Sequence, residues 1–375
     1  MRIVMLGTKG VPATFGGVER HVEELGARLV ERGHEVTVHC RRSYVGDDVP
    51  RIDEHRGMRL VTMPSLATKH LDALSHTAIA AAHATLSRAD VVHFHAIGPS
   101  MFGFVPRVRR GRATVVSVHG LDHERDKWSP TASRLLALGE WSAGTFPHAT
   151  ICVSRTLTEH FQARFERGRI VYVPNGVPVV HEPSTPEEIT RRWGLQGDDY
   201  VLFMGRFVPE KSPELLLEAF ADTGLDLRLV MAGGAQHDDE YEARLRALAA
   251  ADPRVILPGF VSGAVRDELY SNARLFVLPS RLEGLPIALL EALSYGVPSL
   301  ASDIACHVEV IGADERYGRL FRGDDRAGLA RALDEAAGDP QMRERAAAGR
   351  EMVAREYAWD DVVEATESLY LDLLG

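Results

Sequence analysis

Residues 1–40 read MRIVMLGTKGVPATFGGVERHVEELGARLVERGHEVTVHC, and the order of patterns in this stretch decides the fold class. Ile3–Leu6 is a short apolar run of the kind that forms a buried strand. Val18, Val22, Leu25, Leu29 and Val30 then recur at three- and four-residue steps, which places them on one helix face. Gly33 follows as a stop signal, and Val36–His39 is apolar again. Apolar strand, amphipathic helix and apolar strand in that order make the βαβ unit of a parallel sheet covered on both faces.

The same alternation continues outward. Arg59–Met63, Val91–His93, Thr114–Val118, Thr150–Val153 and Ile170–Val173 read as further strands. It breaks over residues 178–198, where Pro178, Pro183, Pro186, Gly194 and Gly197 mark a linker with a short helix around Glu187–Trp193. Strands resume at Tyr200–Met204, Leu227–Met231, Val255–Leu257, Leu275–Leu278 and Pro298–Ala301, with helical patterns such as Leu215–Phe220 and Ala288–Leu293 between them. A chain of 375 residues suits two domains at roughly 150 residues each. The expectation is two doubly wound, Rossmann-like α/β domains, residues 1–180 and 181–350, facing across a cleft. Residues 351–375, within a helical stretch Arg350–Leu374 that contains Trp359, would pack back on the first domain. Ligands of such sheets sit beyond the carboxyl ends of the strands, so the loops after strands are where chemistry belongs.

Composition narrows the classes. Hydrophobic residues make up 45% and charged residues 26%, which is ordinary globular usage. The net charge of −10 counts against general nucleic-acid binding. Cys40, Cys152 and Cys306 lie far apart, which suits a reducing cytoplasm rather than a disulfide scaffold or zinc ribbon. No apolar run reaches the roughly 20 residues of a membrane span, and the apolar stretch at Met1–Gly7 is too short for a signal peptide.

Three loops carry candidate chemistry. Gly7–Gly17 precedes the first helix, and its Gly16 and Gly17 suit either a phosphate or sugar contact or a flexible strand-to-helix loop. It is neither G-x-G-x-x-G nor a P-loop. After the Tyr200–Met204 strand come Gly205, Arg206 and Lys211. Two cations at a strand's carboxyl end can neutralise a pyrophosphate leaving group, or they can be solvated surface charges. After Leu275–Leu278 the chain reads PSRLEGLPIALLEA from Pro279 to Ala292. Pro286 suits a helix start, which leaves Gly284 and Leu285 to offer N–H groups to a phosphate. Glu283 then stands before the helix and Glu291 one to two turns inside it. They would hold a sugar ring and a ribose, or be a cap and an exposed helical carboxylate.

Glu283-x7-Glu291, with Gly284, Pro286 and the ALSYGVP run from Ala292 to Pro298, resembles glycosyltransferase family 4. The resemblance extends over nearly the whole chain: Gly16–Val22, Val173–Val177, Gly205-Arg206 with Lys211, Pro258–Val261 and the Trp359 segment are each similar to a family motif, in order. It implies the GT-B fold and retaining, metal-independent transfer from a nucleotide-diphosphate sugar, with no cofactor. The first domain would take the acceptor and the second the donor. By the same resemblance Arg206 and Lys211 hold the diphosphate, Glu283 contacts the donor sugar, Glu291 binds the ribose, Gly259 and Phe260 lie beside the base, and His119 sits near the sugar. Retention would follow a front-face route in which the departing phosphate helps deprotonate the acceptor. His119–Trp128 and Gly7–Pro12 are similar to a rhamnosyltransferase branch, which suggests a deoxyhexose donor such as dTDP-rhamnose.

Other features have plainer readings. His93 and His95 form an H-x-H pair without an evident third ligand, so strand-end packing is expected over metal. His76 and His83 are expected to be exposed on an Ala-rich helix. Arg107, Arg109, Arg110 and Arg112 form a basic patch, either a solvated turn or a contact for anionic lipid or a lipid-linked acceptor. A nucleotide-sugar epimerase of the same architecture is the alternative function. A dinucleotide-dependent dehydrogenase lacks its glycine fingerprint here.

Overall fold

The computed structural model describes residues 1–13, 16–42, 52–65, 72–121, 130–166, 168–235 and 239–375. The chain divides into two compact units, Met1–Gly176 with Trp359–Gly375, and Val177–Ala358. The sequence reading sets its boundaries a few residues away, at 180 and 350.

The first unit is built on a sheet whose described strands are β1 (Arg2–Leu6), β2 (Glu35–Arg41), β3 (Glu54–His55), β4 (Met58–Met63), β5 (Val91–His95), β6 (Ala113–Val118), β7 (Ala149–Cys152) and β8 (Ile170–Tyr172). Their order is β3-β4-β2-β1-β5-β6-β7-β8. Val4 pairs with Thr37 on one side and Val92 on the other, both in parallel register. Only β3 runs antiparallel to its neighbour, through a two-residue turn in which Arg56 and Gly57 both have positive φ, 50° and 76°. A two-residue strand has no readable period, so nothing in the sequence announces it. The helix Gly17–Glu31 buries the expected stripe of Val22, Leu25 and Leu29.

The second unit has β9 (Tyr200–Met204), β10 (Arg228–Ala232), β11 (Val255–Gly259), β12 (Leu275–Leu278), β13 (Ser299–Ser302) and β14 (Arg319–Phe321), in the order β11-β10-β9-β12-β13-β14. Every pairing is parallel. The chain starts at the centre, winds to one edge, then returns beside β9 and winds to the other. The strand order therefore reverses between β9 and β12, the switch point at which doubly wound sheets bind ligands.

The expected single helix over Arg350–Leu374 is two helices, Gln341–Glu356 and Trp359–Leu374. The chain breaks at Tyr357, where its carbonyl accepts from Val177 N at 2.9 Å and Ala358 bridges Val177. The break is where the chain passes from the second unit into the first. Trp359, Val362, Val363 and Tyr370 join the core of the first unit. Gly176 makes room for the indole, since a Cβ there would lie 2.4 Å from the Trp359 ring.

Candidate active site

The loops after β9 and β12 lie at the carboxyl ends of the two strands that flank the switch point. The β9 loop carries Gly205 and Arg206, then a 3-10 turn Pro209–Lys211, then Ser212 in a left-handed conformation with φ 48°. The helix Pro213–Ala221 follows, with Pro213 in its first turn. The β12 loop carries Ser280 to Leu285, and Pro286 caps the helix Ile287–Ser294. The two loops are tied through their backbones, Arg281 N donating to Glu210 O at 2.8 Å.

Lys211 Nζ forms an ion pair with Glu283 Oε1, and the two side chains are only 14% and 15% exposed. Ser280 Oγ donates to the same carboxylate oxygen at 2.9 Å. Burial would raise the Glu283 carboxyl, but the Lys211 ammonium and the Ser280 hydroxyl override it and hold the group below the usual carboxylate range. Arg206 is half-buried and makes no ion pair or side-chain hydrogen bond among the described residues. The site thus pairs one cation internally and leaves a second, a guanidinium, to meet an incoming anion.

The expected glycines belong to a patch of bare backbone at the ends of β9, β10 and β11. Gly205 N donates to Ala232 O at 3.0 Å, and Gly233 N to Gly259 O at 2.9 Å. A Cβ on Gly233 would lie 1.8 Å from the Gly205 carbonyl oxygen, so only glycine fits. Phe260 is 45% exposed, with its ring over Gly234, where a Cβ would approach it to 2.7 Å. Gly233 and Gly234 are missing from the sequence-derived set, although a Gly-Gly pair directly after an apolar strand was there to be read. His307, Ser302 and Cys306 are also missing. His307 is fully buried, its Nδ1 3.0 Å from Ser302 Oγ, and Cys306 Sγ reaches Glu283 O at 3.6 Å.

Glu291 is not the exposed helical carboxylate that one reading allowed. It is 5% exposed, it accepts from Tyr270 OH at 3.1 Å, and Arg266 Nη1 stands 3.8 Å away. Burial raises its carboxyl above the ordinary value despite Arg266. Tyr295 stacks on Tyr270 at 5.2 Å and donates to Asp267 at 2.7 Å, completing a polar cluster behind Glu291. Gly284, Leu285 and Pro286 are buried between Glu283 and this helix.

The first unit holds the remaining candidates. Gly16 has φ 98°, which favours glycine, and Gly17 opens the first helix. A Cβ on Gly16 would strike Glu19 Oε2 at 2.2 Å, and Glu19 Oε1 accepts from Lys9 N at 3.2 Å. A carboxylate already at the helix start makes this loop a better neighbour for hydroxyls than for phosphate. His119 follows β6 and stands among His21 and His95, with ring centroids 4.8 and 5.6 Å away. Its Nε2 is 3.3 Å from His95 Nδ1. His93, its ring tilted against that of His95 with centroids 4.1 Å apart, is held by Ser117 Oγ at 2.8 Å and Tyr370 OH at 2.6 Å. The H-x-H pair therefore has further imidazoles beside it, brought by chain segments that the sequence does not relate.

Two other expectations change. His76 is fully buried rather than exposed, while His83 is exposed and contacts His39 at 3.2 Å. Arg112 is buried and donates to the carbonyls of Ala84, Thr85, Ser87 and Ala89 at 2.8–3.0 Å, and Arg109 donates to Thr85 O at 3.0 Å. These two arginines satisfy the carbonyl end of the helix Asp72–Leu86. Arg107 and Arg110 alone of the four point to solvent without such a duty. Asp122–Trp128, most of the branch-specific stretch, and Thr14 and Phe15 lie outside the described residues. A surface hollow lined by Trp193, Asp226, Arg228 and Arg254 sits at the amino ends of β9 to β11, away from the switch-point loops.

Residues 15–180 match the profile described as Glycosyltransferase Family 4, and residues 186–351 match that described as Glycosyl transferases group 1. The chain is 28% identical over 402 aligned positions to the alpha-maltose-1-phosphate synthase of Mycolicibacterium smegmatis, covering 99% of each chain. It is 29% identical to the D-inositol 3-phosphate glycosyltransferase of Acidothermus cellulolyticus, covering 96% of this chain and 86% of the relative. Among solved structures, sucrose-phosphate synthase from Thermosynechococcus elongatus superposes with a TM-score of 0.85 at 21% identity, covering 99% of this chain and 98% of that one. HepE of Anabaena, solved with UDP and glucose, superposes with a TM-score of 0.79 at 17% identity, covering 99% and 100%. The fold is GT-B. No described helix is long and apolar enough to cross a membrane.

Proposed function

We propose, from the premise that this chain belongs to glycosyltransferase family 4 and is a sugar-transferring enzyme, that it moves a hexose or deoxyhexose from a nucleoside-diphosphate sugar to a hydroxyl acceptor, with retention and without a metal. The observation that carries this reading is the Lys211–Glu283 pair beside an unpaired Arg206 at the switch point. In it, Arg206 and Lys211 bind the diphosphate oxygens and stabilise the charge that develops as the sugar departs, the task a divalent cation performs in other transferases. Glu283 orients Lys211 and accepts from sugar hydroxyls. The bare backbone of Gly205, Gly233 and Gly259 lets the diphosphate and the base approach the sheet, with Phe260 beside the base. Glu291, backed by Tyr270, accepts from the ribose diol.

The bond from the anomeric carbon to the diphosphate oxygen breaks and the bond to the acceptor oxygen forms on the same face. The acceptor proton passes to the departing phosphate. His119 contacts the donor sugar in this reading, a role taken from the family resemblance alone. HepE, solved with UDP and with UDP-glucose, and starch synthase IV of Arabidopsis thaliana, solved with ADP, support a nucleotide-sugar donor for this chain. The rhamnosyl donor rests on the resemblance of His119–Trp128 and Gly7–Pro12. Membrane contact, in this reading, uses Arg107 and Arg110 with the exposed Phe104 and Val108. It leaves out Arg109 and Arg112.

The test is a thermal-melt series with UDP, dTDP, GDP and ADP in the presence of EDTA. A ligand at about 100 times its Kd adds about 2.7 kcal/mol, several degrees for a domain of this size. One diphosphate is expected to raise the melting temperature of the wild type and not of Arg206→Ala. No shift from any diphosphate, or an equal shift in the variant, removes the site assignment. The anomeric configuration of the product, read by NMR, decides retention.

A further inference from the structure

We propose that His21, His95 and His119 form a binding site for one divalent late-transition ion, Zn²⁺ the type case, and that the ion opposes rather than supports sugar transfer. One ring nitrogen from each of the three histidines lies within 4.8 Å of the others. In a tetrahedral zinc site with bonds of about 2.0–2.1 Å, ligand nitrogens stand about 3.3–3.4 Å apart. His95 Nδ1 and His119 Nε2 are 3.3 Å apart, which already spans one such edge. His95 can give one ion only one nitrogen, so with its Nδ1 on that edge the third ligand falls to His21. His21 Nδ1 is buried and has no hydrogen-bond partner among the described residues. Buried polar atoms are normally partnered, so this orphaned nitrogen beside the His95–His119 edge points to a ligand that accepts lone pairs.

The supports are those of a metal site. The three ligands come from the first helix, the end of β5 and the loop after β6, so two of them are fixed by regular elements. His93 packs on His95 and is itself pinned by Ser117 and Tyr370, and the Trp359 ring lies 5.5 Å from that of His21. Such outer partners orient imidazole ligands. His21 and His95 are buried while His119 is half-buried, so the cluster opens at His119, and a fourth position would fall to water or an anion. Imidazole donors suit Zn²⁺, Cu²⁺, Ni²⁺ and Co²⁺ over Mg²⁺ or Ca²⁺. The opposing effect rests on the proposed function: an ion held by His119 withdraws it from the donor sugar.

The experiment uses the full chain, stripped with a chelator and titrated with Co²⁺. One equivalent is expected to give the visible absorption of four-coordinate Co²⁺, and Zn²⁺ is expected to quench it. His21→Gln and His95→Gln should each weaken binding at least about tenfold, while His83→Gln, an exposed histidine outside the cluster, should bind as the wild type does. A measurement without variants covers the case in which these do not fold: Zn²⁺ should protect His119 from carbethoxylation, read by mass spectrometry. No saturable binding at one equivalent, equal binding in both cluster variants, or unprotected His119 overturns the site. Micromolar Zn²⁺ should depress transfer, with recovery on adding EDTA, and transfer indifferent to bound Zn²⁺ overturns its opposing role. The fate of the proposed donor site is read separately, from nucleoside diphosphate binding to the metal-free chain.

Discussion

The two switch points of this molecule occupy the same topological position and carry opposite chemistry. In the first unit strand order reverses between β1 and β5, and in the second between β9 and β12. The first is lined by imidazoles that burial keeps neutral, with His21, His93 and His95 all held below the ordinary histidine value. The second is lined by an ammonium, a guanidinium and a carboxylate kept ionised by its partner. Topology thus supplies the place in both units and side chains decide what it can hold. Neutral nitrogens suit hydroxyls or a soft cation, and fixed charge suits a diphosphate.

Acid should separate the two units most strongly. Burial holds His39 down to about 3 and His76 down to about 4, both in the first unit, and His307 down to about 4 in the second. Each binds a proton near pH 6.5 when unfolded but not when folded. The unfolded state therefore takes up more protons as pH falls from 6.5 toward 4, and stability present above 6.5 is lost across that window. At pH 5 each such histidine costs about 2 kcal/mol. Glu291 works the other way: its raised folded value means that protonation relieves a buried charge in the second unit. Limited proteolysis at pH 5 is expected to cut within residues 1–176 before 177–358, and His76→Leu should delay that cutting. Simultaneous loss of both units would show that the buried histidines do not set the order.

Catalysis should separate them in the opposite sense. Arg206→Ala removes the unpaired cation of the second unit and is expected to lower kcat by about 10²–10³-fold, as loss of one electrostatic donor does, with little change in melting temperature because Arg206 has no partner to abandon. Glu283→Gln should cost more stability, since it leaves Lys211 half-buried beside a neutral amide. Steady-state kinetics and thermal melts on both variants check this. Full activity in Arg206→Ala together with complete loss in His119→Ala would move the chemistry to the first unit.

Much of this contrast was legible in the sequence and part of it was not. Period and punctuation located both sheets, because buried parallel strands are continuous apolar runs and the helices between them are amphipathic. The second site was legible because its residues lie in two short loops, each directly after a strand. The histidine cluster was not: His21, His95 and His119 are 24 to 98 residues apart and meet only through the winding of the sheet. Burial was equally hidden for His76, whose helix offers no strong polar face, and for Arg112, whose four donors close a helix end that lies 23 to 28 residues back in the chain. A charge cluster in sequence does not say which cations are occupied by backbone carbonyls.

The smallest effect compares the glycine loops themselves. Gly16, after β1, has φ 98°, so Gly16→Ala adds backbone strain of about 1–2 kcal/mol and displaces Glu19. Gly205, after β9, carries no such strain: a Cβ there would press on the flexible Lys211 stem, 3.3 Å away, and touch the Phe203 ring at an ordinary 3.7 Å. Gly205→Ala should therefore leave unfolding unchanged and act through Lys211, raising KM for the donor a few-fold as the ammonium shifts from Glu283. Urea unfolding and donor-dependent kinetics on the two variants read stability and function separately. A stability loss in Gly205→Ala, or a donor effect in Gly16→Ala as large as in Gly205→Ala, would mean that the two loops share one role and that the division between the switch points is less sharp than their side chains imply.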